Sequence, residues 1–329
     1  MPIDISIIIV TYKSQSLIDR CLAPIVLVNR SDIEVVIWDN ASPDETVRVV
    51  RNLGAESRLI ENRQNLGFGR ACNQGFEASR GRLLFMLNPD ARLEQPDGLA
   101  RLKSAMEEHP RWGLAGTRIT SPDGCSESSP ATCYPQERYA RCDFSGLPGN
   151  IAWVMGASMV IRREAFAKVN GFDPGFFLSS EETDLCLRAR QQGWEIGYVP
   201  EVTVWHIGMA SERGRDPGET WLHRMTGLLR FWSKHYPPED VRRLARKDWL
   251  RASLRRNWYY VAGRFRGPAS DAWLKHRKYA GISEAARRLL SARPSKSATS
   301  RKRPANDPQR GRRQNYGAEM VPKDRSRAL

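Results

Sequence analysis

Short apolar strands that alternate with helical patterns constrain the fold of this chain more than any other feature. Residues 6–11 (SIIIVT) form a continuous β-branched run, which is typical of a parallel strand covered on both faces. A second run, residues 34–38 (EVVIW), ends at Asp39, and residues 82–87 (RLLFML) follow a helix predicted over residues 66–79. This order of elements predicts βα units and an α/β sheet.

Acids follow two of these strands. Asp39 ends the second strand, and Asp90 comes shortly after the last one. Both are therefore expected at the carboxyl ends of parallel strands, where open α/β sheets have their ligand crevice. A turn or a helix cap is the alternative role for each. After Asp39, Ser42 as N-cap, Pro43 at the first helical position and Glu45 as the reciprocal acid predict a helix start.

Further elements are predicted in the second half of the body. They are a strand over residues 158–162, a short helix over 163–168, a helix over 179–192, and two short strands over 196–199 and 202–205. The last two are separated at Pro200 because proline cannot donate a ladder hydrogen bond.

Charge divides the chain into parts. The sequence has 52 Lys and Arg against 37 Asp and Glu, a net charge of +15. Residues 1–211 carry −4, whereas residues 212–290 carry +11 and residues 291–329 carry +8. The last segment is rich in Ser, Pro and Arg, so burial cannot offset its chain entropy. The sequence predicts a body over 1–211, a basic helical extension over 212–290 and a disordered basic tail over 291–329.

Apolar runs and cysteines bear on the compartment. No apolar run approaches the ~18 to 20 residues of a membrane-spanning helix, and the N-terminus lacks the basic region of a signal peptide. The six cysteines include no C-x-x-C pair and are interpreted as reduced thiols of a cytoplasmic protein. A disulfide or zinc cluster among Cys125, Cys133 and Cys142 is the alternative.

Seven short motifs occur in a defined order along residues 3–211. They are residues 6–12 (SIIIVTY), 36–44 (VIWDNASPD), 65–75 (NLGFGRACNQG), 87–90 (LNPD), 156–160 (GASMV), 180–190 (SEETDLCLRAR) and 206–211 (HIGMAS). In this order and spacing they resemble the inverting glycosyltransferases of family 2, in particular the rhamnosyltransferase-like branch that builds bacterial surface polysaccharide. The resemblance implies a GT-A fold, a Rossmann-like mixed sheet flanked by helices, and a nucleotide-sugar donor.

The resemblance places this donor along the first half of the body. The implied contacts are Thr11, Tyr12, Asp39, Asn40, Asn65, Gly67, Phe68, Gly69, Asn73, Asn88 and Asp90. Asp39 would accept a hydrogen bond from the ring N–H of uracil or thymine, which selects a UDP- or dTDP-linked sugar. The glycine-rich helix start would bring backbone N–H groups close to anionic or carbonyl oxygens, with packing as the alternative role of its glycines.

A metal position is implied after the strand over residues 82–87. Asn88-Pro89-Asp90 matches the family's Asp-x-Asp motif, at which Mg²⁺ or Mn²⁺ bridges a carboxylate to the donor diphosphate. Asn88 removes one negative charge, so the sequence leaves strict metal dependence open. His206 matches a position that reaches the cation, and imidazole suits Mn²⁺ better than Mg²⁺. A structural role is the alternative for this histidine.

Glu181, Glu182 and Asp184 open the helix predicted to begin near Ser179. Acids in a first turn interact favourably with the helix dipole, and Ser179 with Glu182 has capping-box spacing, so stabilisation of the helix start is one interpretation. The resemblance implies another, in which Glu182 is the general base that takes a proton from the acceptor hydroxyl. Glu181 is the alternative base, and Asp184 is expected to pair with Arg188.

The acceptor side is less well defined by the sequence. Gly156 and the preceding Trp153 match a segment that closes over the sugar, and they are the candidates for acceptor contacts. Residues 121–150 contain four prolines and three cysteines and predict a long loop over the site.

The basic third combines tryptophan with Arg and Lys. Residues 219–290 hold five of the ten tryptophans and predict helices broken at Pro237-Pro238 and Gly267-Pro268. One predicted helix face carries Val241, Leu244, Ala245, Trp249 and Ala252, although Leu250 and Leu254 interrupt the pattern. Such a helix suits an anionic membrane surface. Packing on the acidic body is the alternative.

Together these features predict a metal-assisted inverting glycosyltransferase, with rhamnose suggested by the branch. The expected acceptor is a lipid-linked or growing surface glycan, at the inner face of the plasma membrane. The alternatives are a nucleotidyltransferase, a non-catalytic nucleotide-sugar-binding relative, and a nucleic-acid-binding protein. The first expects a basic phosphate loop where only Lys13 is present, and the last lacks a recognisable nucleic-acid motif. The sequence leaves the oligomeric state open.

Overall fold

A computed structural model describes residues 2–26, 30–53, 57–121, 124, 130–208, 215–267 and 270–292. The residues through Ser291 form one compact unit. The predicted tail from residue 293 onward and Cys125 lie outside the described residues. Cys21, Cys72, Cys133, Cys142 and Cys186 are free thiols in the structure, and the redox state expected from the sequence stays a prediction.

The first half of the chain forms the parallel part of the sheet. Its strands are β1 (Ile5–Thr11), β2 (Ile33–Asp39), β3 (Ser57–Glu61) and β4 (Leu83–Leu87), in the order β3-β2-β1-β4. The helices between them are α1 (Ile18–Val26), α2 (Thr46–Asn52) and α3 (Phe68–Ala78). The predicted βα units are therefore confirmed. Parallel strands need such crossovers because the end of one strand and the start of the next lie at opposite edges of the sheet.

The second half completes a mixed eight-stranded sheet. It contributes β5 (Ala91–Leu93), α4 (Gly98–Glu108), β6 (Trp112–Thr120), β7 (Ser158–Arg162), α5 (Arg163–Lys168), α6 (Glu181–Gln191) and β8 (Glu195–His206). The full order is β3-β2-β1-β4-β7-β6-β8-β5, with β7 antiparallel to both neighbours. The two short strands predicted around Pro200 are one strand, β8. Its register against β6 shifts there, which accommodates a residue that cannot donate to the ladder.

Both faces of the sheet are covered. Ile7 and Ile9 of β1 pack in the same cluster as residues of α1 and α4, whereas Ile8 and Val10 pack with residues of α3 and α6. Alternate residues of a strand point to opposite faces, so a strand with a helix layer on each side must be apolar throughout. This explains the unbroken SIIIVT run.

Three helices follow the sheet. They are α7 (Pro217–His235), α8 (Pro238–Arg266) and α9 (Asp271–Ser291), and the two predicted breaks between them are confirmed. Trp232 of α7 and Leu244 of α8 share a buried cluster with Phe176 and Leu187 of the body. Among the described residues, no helix is both long enough and apolar enough to cross a membrane.

The predicted apolar face of α8 is turned inward. Val241, Leu244, Ala245 and Ala252 are at most 5% exposed. The first three share a buried cluster with residues of the body, so packing on the body is the correct alternative for them. Trp249, assigned to the same face, is 37% exposed.

The described later part of the predicted 121–150 loop also packs on these helices. Trp232 Nε1 and Tyr236 Oη donate hydrogen bonds of 3.0 and 2.8 Å to the carbonyl of Pro135. Tyr134 is buried in the same cluster as Trp232, and a short 3₁₀ turn, Glu137–Tyr139, follows it. Residues 130–150 therefore anchor the C-terminal helices.

Candidate active site

A cleft of about 240 Å³ opens at the carboxyl ends of β1 and β4. The polar and aromatic residues that line it include Tyr12, Lys13, Asn40, Asn65, Phe68, Asn88, Asp90, Glu181, Glu182, His206, Arg215 and Arg224, and Gly67 and Gly156 also line it. This is the edge at which the sequence predicts a ligand. The loop predicted over residues 121–150 was expected to cover this site. None of its described residues from 130 to 150 lines the cleft.

Asp39 is buried and is not among the residues that line the cleft, although the next residue, Asn40, is. Its Oδ1 accepts hydrogen bonds from Thr11 Oγ1 (2.8 Å) and Ser42 Oγ (2.6 Å), and its Oδ2 accepts one from the Ser42 N–H (2.9 Å). The predicted helix start at Ser42 is wrong, because Ser42 bonds back to Asp39 and α2 begins only at Thr46. Tyr12, which follows Thr11, does line the cleft.

Asn40 organises the segment that leads into α3. Its Nδ2 donates to Asn65 Oδ1 (2.9 Å) and the carbonyl of Gly67 (3.2 Å), and its Oδ1 accepts from the N–H of Leu66 (3.0 Å). The N–H groups of Gly67 and Phe68 bond to Asn65 Oδ1 and to the carbonyl of Phe177. These three N–H groups are occupied within the protein, so none of the three is free to donate to a ligand oxygen.

The glycines of this segment serve close packing. Gly67 has a φ of +86°, and a Cβ atom there would lie 2.4 Å from the carbonyl oxygen of Phe177. A Cβ on Gly69 would lie 2.9 Å from Phe172. Asn73 exchanges two 2.8 Å hydrogen bonds with the backbone of Phe172. Gly69 and Asn73 therefore stand outside the cleft wall, and their contacts are structural.

Asp90 and His206 come together across the edge of the sheet. Pairing of β5 with β8 sets Ala91 opposite His206. His206 Nε2 lies 3.2 Å from Asp90 Oδ1 and 3.5 Å from Asn88 Nδ2. The three residues that the sequence assigns to the metal position are thus neighbours in the cleft wall.

Two serines in left-handed conformation precede the acids of α6. Ser179 and Ser180 have φ values of 73° and 69°. The capping box predicted for Ser179 and Glu182 is wrong, because no side chain caps α6. Glu181 is 5% exposed, and its Oε2 has no hydrogen-bond partner among the described residues. Burial and the adjacent charge of Glu182 raise the pKa of Glu181 well above its usual value. Burial also raises the pKa of Glu182, and the charge of Arg224 opposes this shift.

Asp184, the third acid, ties α6 to α7. It is fully buried and lies 2.7 Å from Arg188, as predicted, and 2.7 Å from both Lys234 and His235 of α7. Burial alone would raise the pKa of Asp184, but the hydrogen bond from His235 and the charges of Arg188 and Lys234 lower it. Its role is structural.

Comparison with known proteins identifies the family of the chain. Residues 6–169, about half of its length, match the family model "Glycosyl transferase family 2". The chain belongs to glycosyl transferase family 2. One relative, the N-acetylglucosaminyl-diphospho-decaprenol L-rhamnosyltransferase of Mycobacterium tuberculosis, is 29% identical over 247 residues, which cover 64% of this chain and 78% of the relative.

Solved structures agree on the fold of this glycosyltransferase. The mannosyltransferase PcManGT from Pyrobaculum calidifontis, in complex with GDP-Man and Mn²⁺, superposes with a TM-score of 0.54 at 18% identity over 88% of each chain. Residues 1–349 of TarS from S. aureus give a TM-score of 0.53 at 13% identity over 87% of this chain and 92% of that one. The predicted GT-A fold is confirmed.

Three cations of the glycosyltransferase cleft are not among the site residues that the sequence analysis predicts. Arg215 and Lys13 flank the ring of Tyr12, at 5.1 and 5.7 Å from its centroid. Arg224 projects from α7. Arg215 and Arg224 belong to the stretch assigned to the basic extension, and the only signal for them was the excess of positive charge after His206.

The two acceptor candidates separate in the structure. Gly156 lines the cleft, and a Cβ atom there would lie 3.4 Å from Glu182 Cβ. Trp153 is not part of the wall. Its indole N–H donates to the carbonyl of Cys133 (3.2 Å), and its ring packs between the body and the C-terminal helices.

Proposed function

We propose that this family 2 glycosyltransferase transfers a sugar, with inversion, from a nucleotide-diphosphate donor to a lipid-linked glycan. The observation that carries the proposal is the cleft itself, because Glu181, Glu182, the Asp90–His206 pair and three cations all line it. An acid can deprotonate an acceptor, and cations can stabilise a departing diphosphate.

The donor nucleotide is proposed to lie between Tyr12 and Asp39. The Asp39 Oδ2 atom accepts one hydrogen bond, from the Ser42 N–H, and an ionised carboxylate oxygen can accept a second. The ring N–H of thymine or uracil supplies that donor, which favours dTDP- or UDP-linked sugars. Lys13, Arg215 and Arg224 are proposed to face the diphosphate.

A divalent cation fits the Asp90–His206 position. Together these residues offer a carboxylate oxygen and an imidazole nitrogen, a donor set that suits Mn²⁺. No group of three or more His, Cys, Asp and Glu suited to a metal occurs among the described residues. Asp90 and His206 would therefore hold the ion together with oxygen ligands from outside this pair, such as those of the donor diphosphate. When bound, the ion neutralises charge on the leaving diphosphate.

Glu182 is proposed as the general base. In a single displacement, it takes the proton of the acceptor hydroxyl while that oxygen bonds to the anomeric carbon and the nucleotide diphosphate leaves from the opposite face. The positive charge of Arg224 favours ionised Glu182, whereas the charge of Glu182 disfavours ionised Glu181. Glu181 is also the more enclosed of the two. These differences favour Glu182.

The sugar and the acceptor are proposed from the relatives. The mycobacterial relative is named for transfer of L-rhamnose to N-acetylglucosaminyl-diphospho-decaprenol, a lipid-linked sugar. A related acceptor would bring this enzyme to the inner face of the plasma membrane as a peripheral, cytoplasmic protein.

The division of the chain into domains at residues 211 and 290 stays a prediction. Arg215 and Arg224 lie beyond residue 211 but line the cleft.

A panel of nucleotide sugars tests the proposal. Purified protein is incubated with dTDP-rhamnose, UDP-glucose and GDP-mannose, with Mg²⁺, with Mn²⁺ or with chelator, and binding and release of nucleotide diphosphate are measured. We expect selective binding and turnover of a dTDP- or UDP-linked sugar. Failure to bind or turn over any donor with either ion would contradict it. Pyrophosphate release from a nucleoside triphosphate and a sugar 1-phosphate would instead indicate a nucleotidyltransferase.

A further inference from the structure

Helix α8 carries a stripe of exposed apolar side chains that faces away from the core. The stripe consists of Leu250 (54% exposed), Leu254 (72%), Trp258 (72%), Val261 (56%) and Phe265 (86%). Successive members are four, four, three and four residues apart, so they lie along one side of an α-helix. The first two are the residues that interrupt the predicted pattern of this helix. The interruption marks a second apolar face.

The opposite side of α8 holds the helix in place. Ala245, Ala252 and Gly263 are buried, and a Cβ atom on Gly263 would lie 2.9 Å from the ring of Trp273 in α9. Because α8 is fastened through this side, the stripe is a fixed surface about 23 Å long, given the rise of 1.5 Å per residue.

A cationic cavity adjoins the N-terminal end of the stripe. Arg138, Arg141, Arg243 and Lys247 surround it, together with Tyr139. Arg243 and Lys247 precede Leu250 by seven and three residues, so they continue the same side of α8.

The cavity keeps an excess of positive charge. Glu239 and Asp240 pair with two of its cations, Arg141 and Arg243. The other two, Arg138 and Lys247, lie 4.7 and 4.1 Å from the centroid of the Tyr139 ring. Asp248 interacts electrostatically with Lys247, so four cations stand against three acids at this cavity.

The charge around the stripe indicates what covers it. Residues 250–267 contain five arginines and no acid. A second copy of the chain would set this arginine-rich surface against itself, and residues 293–329 are positively charged like the surface. Electrostatic repulsion therefore disfavours both as occupants. An anionic bilayer complements both parts, since its headgroups attract arginine and its acyl boundary accepts Trp, Phe and Leu.

We propose that this side of α8 docks the enzyme on an anionic membrane. The stripe enters the boundary between headgroups and acyl chains, and the cavity around Tyr139 holds a lipid phosphate. The assignment rests on the proposed peripheral attachment, but not on the identity of the donor or acceptor.

Flotation with vesicles tests this surface. The full chain is mixed with phosphatidylcholine vesicles with or without phosphatidylglycerol, in the absence of donor and acceptor. We expect wild-type protein to float only with the anionic vesicles. The affinity of the triple variant Leu254→Ser, Trp258→Ser, Phe265→Ser for these vesicles should fall by about tenfold or more, because three apolar side chains no longer enter the bilayer. Arg138→Gln with Lys247→Gln should also weaken binding.

Two control variants separate position from composition. Leu274→Ser removes an exposed apolar residue of α9, and Arg287→Gln with Arg288→Gln removes two charges elsewhere on α9. Both should float like wild type. The altered stripe residues are largely exposed, so circular dichroism should show an unchanged fold.

Three outcomes would overturn the proposal, and they differ. If wild type floats and the stripe variant floats equally well, the surface assignment fails while membrane attachment stands. If wild type floats with neither vesicle, attachment itself fails. If light scattering shows a wild-type dimer that the stripe variant converts to monomer, a second copy is the occupant.

Discussion

Glu181 and Glu182 are neighbours in sequence but stand in different surroundings. The Oε2 atom of Glu181 is enclosed without a hydrogen bond among the described residues, whereas Glu182 lies beside Gly156 and within the field of Arg224. The sequence names both acids as candidates. Only the contacts distinguish them, because the distinction depends on Gly156 and Arg224, which are 26 and 42 positions from Glu182 in the chain.

Replacing Glu182 by Gln tests the base. We expect kcat to fall about 10²- to 10⁴-fold, since a positioned base contributes this much, while donor affinity is retained. Burial raises the pKa of Glu182. The wild-type kcat should therefore begin to fall on acidification at a higher pH than it would with an ordinary glutamate as the base. Rapid-quench kinetics and calorimetric donor binding measure the two effects. Near-normal turnover in this variant would move the role to Glu181.

Glu181 should make stability depend on pH. Its pKa in the folded protein is raised, so the folded state holds a proton that the unfolded state has lost, and the free energy of unfolding decreases as pH rises through the raised pKa. Glu181→Gln removes this dependence and should be more stable than wild type by about 1–3 kcal/mol at alkaline pH. Urea unfolding across this pH range measures it, with the exposed Glu45→Gln as control. Equal slopes in wild type and Glu181→Gln would contradict the assignment.

At the scale of elements, a loop held by glycines presents the acids. A Cβ atom on Gly227 of α7 would lie 2.2 Å from the carbonyl oxygen of Ser179, and one on Gly67 would lie 2.4 Å from that of Phe177. The segment before α6 is therefore fixed from two sides. This fixation allows Ser179 and Ser180 to remain in a conformation that non-glycine residues seldom adopt.

Gly227→Ala tests this support. Alanine gains about 1 kcal/mol of helix propensity over glycine, but the added methyl group must displace the Ser179 carbonyl or α7. We expect a net loss of about 1–3 kcal/mol in the free energy of unfolding and a fall in kcat of about tenfold or more. Gly146→Ala, which has open space around the position of the new Cβ atom, is the control. Full kcat in Gly227→Ala would show that the loop does not need this contact.

Several elements could be predicted from local patterns, and others could not. Strands β1, β2 and β4 and the breaks of the C-terminal helices follow from β-branched runs, Pro and Gly, which act through the backbone of the same segment. The start of α2 was misplaced because Asp39 competes for Ser42, and the predicted break in β8 was wrong because pairing with β6 spans Pro200.

At the scale of the whole molecule, the positive charge serves more than one purpose. Arg215 and Arg224 enter the cleft, and the arginines of α8 surround the apolar stripe. The segment beyond residue 292 adds a net charge of +8. A single excess of charge in the sequence thus divides into separate surfaces once the chain folds.

Deleting residues 293–329 should weaken attachment to anionic vesicles at low salt. Each basic group near the surface contributes about 1 kcal/mol, and salt screens this contribution, so the difference from the full chain should shrink as ionic strength rises. Flotation across a salt series measures it. The thermal midpoint should be unchanged, because the residues through Ser291 form a compact unit. A difference that persists at high salt would argue against an electrostatic contribution.

Local sequence patterns set the alternation of strands and helices, the order of the glycosyltransferase motifs and the separation of charge. These depend on neighbouring residues, on short spacings and on composition. The tertiary structure decided which side of α8 is buried, that Arg215 and Arg224 reach the cleft, and how Glu181 and Glu182 differ. Such features arise when segments far apart in the chain share one core or one wall, and no local pattern records which partner a side chain will meet.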